Sequence, residues 1–294
     1  MEFAEYAPYL GDKTDCHFCG ERTRLSHWGD RGIFRLERCE QCGLVFINPR
    51  LNATGLGRFY ATYFANRSED REMSRKREEM YRLESAFLLD HVQWHRRMLD
   101  IGCGGGHFLA AFPDRFLKIA TEIDSVAAAY ASRHYGFKCY VGDFQDLEIE
   151  EAPLDVIMLR GVIEHFTNPG TVLEKAAALL APGGFLFISS TPNLDSVCAE
   201  VFRGMWNMVG PDHLYYFNER LLTHCLSKSG LTLVDRHHFY EETPYADLAD
   251  DYLRIEEAIR EMRNGGSPTR VSPPFWGNML TLLYRKSKRP SDSL

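Results

Sequence analysis

A chain of 294 residues with 45% hydrophobic content is long enough to bury one full α/β core of about 200 residues and a small appendage. Its formal net charge of −7 is evenly spread with no long basic face, which gives a nucleic-acid partner little electrostatic support. No apolar run reaches the roughly 18 residues that a membrane span needs, and the opening MEFAEYAPYL lacks a basic segment followed by an apolar one, so a soluble, cytoplasmic protein is expected.

Cysteines organise the first fifty residues. Cys16 and Cys19 form one C-x2-C pair and Cys39 and Cys42 a second, with nineteen residues between them, which is the arrangement of a zinc ribbon. Gly20 and Gly43 follow the pairs directly and suit tight turns whose N–H groups face the thiolates. Four thiolates close a tetrahedral site with no vacant position, so the expected zinc is structural, and His17 and His27 are unnecessary as substitute ligands. The alternative is a set of redox or unliganded thiols. Cys103, Cys139, Cys198 and Cys225 are scattered and read as reduced core residues.

After the ribbon (residues 1–50), the apolar run following Cys42 predicts a strand that packs on the next domain, and residues 51–96 turn helical. LNATGLGRFYATYF predicts a short amphipathic helix carrying Tyr60 and Tyr63, which could fold over a cofactor or serve as ordinary core aromatics. A longer helix follows, with Met73, Arg77, Met80, Leu83 and Phe87 or Leu88 on one stripe.

Residues 98–109, MLDIGCGGGHFL, place an acid and three glycines where a strand turns into a helix. Gly102, Gly104 and Gly106 allow backbone conformations and close approaches that a Cβ would block. A dinucleotide fingerprint would need its third glycine at His107, whereas the run here is G-x-G-x-G. Preceded by Asp100, it resembles the first motif of class I S-adenosylmethionine (SAM) methyltransferases, with a structural turn or a dinucleotide site as the alternatives.

Further segments follow in the order that this resemblance requires. KIATEIDSVAAAYA predicts a strand ending at Glu122, about 20 residues after the turn, where a carboxylate can accept both ribose hydroxyls. Asp124 suits a helix cap better. In YVGDFQDLEI the resemblance implies that Asp143 takes the adenine amino group and Phe144 contacts the ring; an ordinary turn Asp is the other reading. Residues 154–193 look like the region that follows, with a Glu-His segment and a Pro-Gly-Gly turn, and imply that the strand end at Leu159 and Arg160 lies beside the methionine part of SAM, through a backbone contact.

Nearly the whole chain is similar to zinc-ribbon SAM methyltransferases of bacterial sugar and secondary-metabolite pathways. The implied fold is α/β, a Rossmann-like seven-stranded methyltransferase sheet over residues 97–286, with the ribbon, a helical linker or lid, and a polar tail at 287–294. No long C-terminal domain of the ketosugar C-methyltransferases is present, which turns the expectation toward O- or N-methylation of a small or carrier-linked metabolite. An RNA methyltransferase clamped by its ribbon and a catalytically silent SAM-binding protein are the alternatives.

Methylating a hydroxyl requires removal of a proton, so a base is expected near the strand ends. His213 in MWNMVGPDHLYYF is the first candidate, with Trp206, Tyr215, Tyr216 and Phe217 as pocket walls; a backbone hydrogen bond that orders the loop is its bland alternative. His165 in VIEHF is the second, as an acceptor-orienting or bracing residue. DLADDYLRIEEAIREM predicts a packing helix or lid with Leu248, Tyr252, Ile255, Ile259 and Met262 on its inner face.

Overall fold

The computed structural model describes residues 2–20, 23–61 and 71–288. Seven strands form the main sheet: β4 (Arg97–Ile101), β5 (Leu117–Glu122), β6 (Lys138–Val141), β7 (Leu154–Arg160), β8 (Leu180–Pro192), β10 (Leu231–His237) and β11 (Met279–Lys286). Their order is β10-β11-β8-β7-β4-β5-β6, and β11 alone runs against its neighbours. Central strands are apolar on both faces: Met98, Leu99 and Ile101 in β4, and Val156 to Leu159 in β7, are fully buried, as expected of parallel strands covered by helices.

Helix starts are set by short polar caps. Asp124 accepts the Val126 and Ala127 N–H groups at the start of α4 (Ser125–Tyr135), which ends at Gly136 with φ 74°. Asn168, followed by Pro169, starts α5 (Pro169–Leu179), Ser196 starts α6 (Val197–Phe202), and Asn218 starts α7 (Glu219–Ser227). The predicted linker helices are α1 (Ala53–Tyr60) and α2 (Arg71–Leu89); Tyr63 lies outside the described residues. A single turn, α3 (His107–Ala110), follows the glycines.

A second, four-stranded antiparallel sheet holds the cysteines. It runs β1 (Leu25–Arg31), β2 (Phe34–Cys39), β3 (Val45–Ile47) and then β9 (Tyr215–Tyr216), so its last strand comes from the long segment after β8. Cys16, Cys39 and Phe46 belong to the main hydrophobic cluster of the large sheet. Trp206, Tyr216 and Phe217 are fully enclosed and Tyr215 is 4% exposed, so these aromatics form the core of this junction beside His213.

Two predicted stripes are displaced. The deepest positions of α2 are Glu84, Ser85 and Leu88, the last of them on the expected stripe, with Met73, Arg77, Met80, Leu83 and Phe87 only half-buried, because Glu84 turns inward to Arg160. In α8 (Leu248–Arg263) the inner face is Asp251, Ile255 and Ala258, while Leu248, Tyr252 and Met262 remain exposed; Asp251 faces inward because it accepts the buried Tyr240 hydroxyl at 2.7 Å. Apolar count alone misplaced both faces by a fraction of a turn.

Asn278 fixes the segment that carries β9 to the main sheet. Its Oδ1 accepts the Trp206 indole N–H at 2.6 Å in a buried setting, and its Nδ2 donates to the half-buried Asn207 at 3.0 Å. Asn278→Ala should therefore lower unfolding free energy by about 1–3 kcal/mol, the cost of a stranded buried donor, in urea melts; a loss below a few tenths would contradict this anchoring role.

Candidate active site

The glycine turn and the end of β5 meet. Gly102, Gly104 and Gly106 all have positive φ (69°, 54° and 80°), and the Gly104 N–H donates to Glu122 Oε2 at 2.6 Å. A Cβ on Gly102 would lie 2.5 Å from Val162, and one on Gly106 2.9 Å from Ala131, so these two glycines serve packing. A Cβ on Gly104 would meet nothing within 4 Å, which leaves open space above this peptide beside the Glu122 carboxylate. Such a cradle fits a nucleoside with ribose hydroxyls. Glu122 Oε1 accepts the Asp124 N–H at 2.9 Å, and burial pushes its carboxyl up against the pull of these N–H groups.

Asp100 lies beneath the turn, 2% exposed. Asp143 stands at the end of β6, its Oδ1 accepting the Gln145 N–H at 2.9 Å. The Phe144 ring is 2% exposed inside the core, with the Lys175 ammonium 5.0 Å from its centroid, which leaves the backbone of this residue as its open part. Arg160 points toward α2: its Nε is 2.5 Å from Glu84 Oε2 and its guanidinium lies over the Tyr81 ring at 4.5 Å. The other Glu84 oxygen accepts the Ser190 hydroxyl at 2.8 Å. Sequence reasoning missed Glu84 and Ser190, since a lone acid in a charge-rich helix gives no signal; Ser190 has φ 53°, a left-handed conformation invisible in the sequence.

Across the ends of β7 and β8, ligand atoms of Glu164, His165 and His213 lie within 4.8 Å of one another, and the two imidazole centroids are 4.8 Å apart. His213 Nδ1 donates to the Met208 carbonyl at 2.6 Å, the loop-ordering bond weighed above. A carbonyl only accepts, so this bond fixes the proton on Nδ1 and leaves the neutral ring's lone pair on Nε2. His165 Nδ1 lies 3.0 Å from both the Asp212 carbonyl and the Tyr60 hydroxyl, which ties α1 to this corner. Glu164 is 1% exposed and its carboxylate accepts the Thr191 hydroxyl at 3.1 Å. A cavity of about 380 Å³ lined by Arg254, Glu257, Arg260 and Glu261 sits on α8, with none of these residues among its walls.

The four ribbon thiols also converge, all within 4.8 Å, with Cys16 and Cys42 sulfurs 3.5 Å apart. Gly20 and Gly43, at φ 74° and 82°, close the two turns, and the Cys42 N–H donates to Cys39 Sγ at 3.4 Å. A hydrogen bond from Cys16 holds Cys42 down at about 5, and this closed set of four soft donors fits a tetrahedral thiophilic cation. His17 bonds Asn168 at 2.6 Å and His27 bonds Asp30 at 2.9 Å, outside the cluster.

A methyltransferase-domain family matches residues 63–236, more than half of the chain. The chain belongs to this family. SAM is the cofactor that the family implies. The chain is 34% identical over 103 residues to a ubiquinone biosynthesis O-methyltransferase of Caulobacter sp. (strain K31), a stretch covering 32% of this chain and 40% of that protein. It is 38% identical over 111 residues to the protein of the same name from Maricaulis maris, covering 34% and 42%. The chain thus spans about two fifths of the length of the curated relatives it matches.

Among solved structures, the chain resembles the Burkholderia thailandensis 1,6-didemethyltoxoflavin-N1-methyltransferase with bound S-adenosylhomocysteine, at TM-score 0.53 and 18% identity, over 90% of this chain and all (100%) of that one. A complex of the Haloferax volcanii Trm112 methyltransferase activator with a methyltransferase matches at TM-score 0.55 and 15% identity, over 76% and 97%. At these identities the likeness concerns the fold. Among the described residues no helix is long and apolar enough to cross a membrane.

Two buried acids give the site a pH signature. Burial pushes Asp100 up to about 8, against the pull of Arg160 and with repulsion from Glu122 and Glu84; burial pushes Glu164 up to about 7, against His213. Both exceed the unfolded carboxylate values near about 4, so the folded state holds the extra protons and their stabilisation, complete below about pH 4, is lost as pH rises through the folded values. Unfolding free energy of the ligand-free protein should fall from about pH 5 to about pH 7, by at most about 1.4 kcal/mol per pH unit for each group, and Asp100→Asn should flatten the slope. A slope unchanged in that variant would remove Asp100 from the account.

Proposed function

We propose that this protein transfers the methyl group of SAM to an oxygen or nitrogen of a small or carrier-linked metabolite. The observation that carries the reading is the junction of the open Gly104 peptide with the Glu122 carboxylate at one strand end, with Glu164, His165 and His213 gathered at the next. Bound SAM supplies an activated methyl on a sulfonium, leaving the protein to align an acceptor and take its proton. In this reading Glu122 holds the ribose hydroxyls, Asp143 and the backbone at Phe144 take the adenine, and Asp100, Gly102, Gly106 and the backbone at Arg160 shape the methionine end. The Arg160–Glu84–Ser190 network keeps the guanidinium charge compensated there.

His213 is our choice for the base, supported by its Nδ1 bond to Met208, which leaves Nε2 as the proton acceptor. His165, braced between Tyr60 and Asp212, orients the acceptor side. We further assign residues 1–50 to a structural zinc ribbon on Cys16, Cys19, Cys39 and Cys42, residues 51–96 to the linker, and 97–286 to the methyltransferase domain. The O- and N-methyltransferase names of the relatives support the acceptor class, and the net charge of −7 disfavours a nucleic-acid acceptor.

Calorimetry should find SAM binding, weakened by roughly 1.5–3 kcal/mol in Glu122→Ala through lost charge-assisted hydrogen bonds; equal affinities would overturn the ribose assignment. Metal analysis of tag-free protein should return one zinc per chain, lost in Cys39→Ser together with order in the N-terminal segment. Absence of zinc in the fresh wild type would defeat the ribbon assignment. With a metabolite extract as the acceptor source and S-adenosylhomocysteine release as the readout, His213→Ala should cut turnover by about 10² to 10⁴-fold with SAM affinity preserved, and His165→Ala by less. Near-normal turnover in His213→Ala would rule out this base, and SAM binding with no release from any extract would leave a silent SAM-binding protein.

A further inference from the structure

The loop that follows β6 carries Asp143 and Phe144, and it is pinned by a side chain from a distant helix. Lys175, half-buried on α5, donates from Nζ to the carbonyls of Phe144 at 2.8 Å, Gln145 at 2.9 Å and Leu147 at 2.5 Å. An ammonium has three N–H donors and no acceptor, so this one loop takes its whole bonding capacity. Bonds from a charged donor are about twice as strong as neutral ones, and the same charge lies 5.0 Å from the centre of the buried Phe144 ring. The loop also closes on itself: the Asp146 N–H donates to the Asp143 carbonyl at 2.9 Å, and a Cβ on Gly142 would touch Leu147 at 3.4 Å.

We propose that Lys175 is a positioning residue for cofactor recognition, which holds residues 144–147 so that Asp143 faces the 6-amino group of adenine, and thereby gives the site its preference for a 6-amino purine. The proposal rests on the SAM reading above. Gln145 transmits the hold: its carbonyl sits on Lys175, its N–H donates to Asp143 Oδ1 at 2.9 Å, and its Nε2 lies 3.3 Å from both Asp143 oxygens. The carboxylate therefore turns with the loop. A carboxylate offers about four lone-pair sites, so Asp143 keeps capacity for an incoming amino donor after bonding Gln145.

The reach of Lys175 is confined to this corner. Its three bonds end on residues 144–147, and none ends on the glycine turn or on Glu122. Removing the ammonium strips three carbonyls of their donor at once, which frees the loop and with it the direction of the Asp143 carboxylate. The ribose and methionine ends are held by other contacts, such as the Gly104 N–H on Glu122. Base recognition is therefore the property that registers Lys175.

The test compares S-adenosylhomocysteine with its 6-deamino analogue, in which hydrogen replaces the adenine amino group, by calorimetry on the full-length protein. The wild type should bind the amino ligand about tenfold or more tightly, the weight of one hydrogen bond to a charged group. Lys175→Met should lose most of that preference, its affinity for S-adenosylhomocysteine falling by about tenfold while that for the deamino analogue stays within about twofold of the wild type. Lys175→Arg, which keeps the charge and N–H donors, should retain more of the preference than Lys175→Met, and Lys175→Gln replaces the methionine variant should that one fold poorly. Equal losses for both ligands, or no loss, overturn the positioning role, because a lysine that only supports the fold would weaken both alike. A wild type that binds the two ligands equally overturns the reading of the amino group by Asp143 and the role of Lys175 with it, whereas a wild type that binds neither refutes the SAM reading itself.

Discussion

The pairing of β3 with β9 is the contact on which the rest of the structure depends. Two residues, Tyr215 and Tyr216, complete a sheet that begins at the cysteine cluster, and the Ile47 N–H donates to the Leu214 carbonyl just before them at 3.1 Å. Leu214 in turn donates to the Glu164 carbonyl at 2.9 Å. His213 is thus held between two backbone ladders, one leading to the ribbon and one to the end of β7. Side chains repeat the link: Arg50 donates to the Tyr215 hydroxyl at 2.8 Å, and Trp28 stacks on Tyr216. A strand of two residues has little stability of its own, so its order is borrowed from the sheet it joins.

This arrangement gives the ribbon a mechanical part in the site without any chemistry of its own. A closed set of four thiols can only hold the chain. What it holds, through β2 and β3, is the segment that carries the two histidines' surroundings. The large sheet supplies the other half, since open parallel sheets gather ligands at the carboxyl ends of their strands. Buried acids accumulate there: Asp100, Glu84, Glu122 and Glu164 all lie within the core, and only Arg160 among the named cations enters with them. Such a surplus of carboxylates costs stability when ionised, and burial relieves it by pushing Asp100 up to about 8 and Glu164 up to about 7, so that both carry a share of protons near neutrality.

Much of this was legible in the sequence wherever chemistry is local. The cysteine spacing, the glycine turn, the acid closing β5 and the Pro-Gly-Gly turn each report on a few adjacent residues, and together they mark a seven-stranded sheet. Contacts between distant segments were not legible. Glu84 looked like one more surface charge in a helix rich in them, although it is fully buried on Arg160. Tyr216 looked like a pocket wall, and its pairing with a strand of the N-terminal sheet left no local mark. The inner faces of α2 and α8 were misjudged for the same reason, since each buries an acid whose partner comes from another part of the chain. Binary pattern registers apolar burial and is blind to a satisfied buried carboxylate.

The most direct test of the account is backbone hydrogen exchange in Phe46→Ala. Phe46 pairs with Tyr215 and their ring centroids are 6.2 Å apart, so the substitution loosens β3 against β9 without replacing any cysteine or histidine. The account predicts that protection of the Leu214 and Tyr216 amides falls by about tenfold or more, equivalent to roughly 1.4 kcal/mol of local opening, while amides of β4 and β7 keep theirs. Unchanged protection at Leu214 and Tyr216, with losses confined to β1 and β2, would contradict it, because the acceptor-side segment would then be ordered by the large sheet alone.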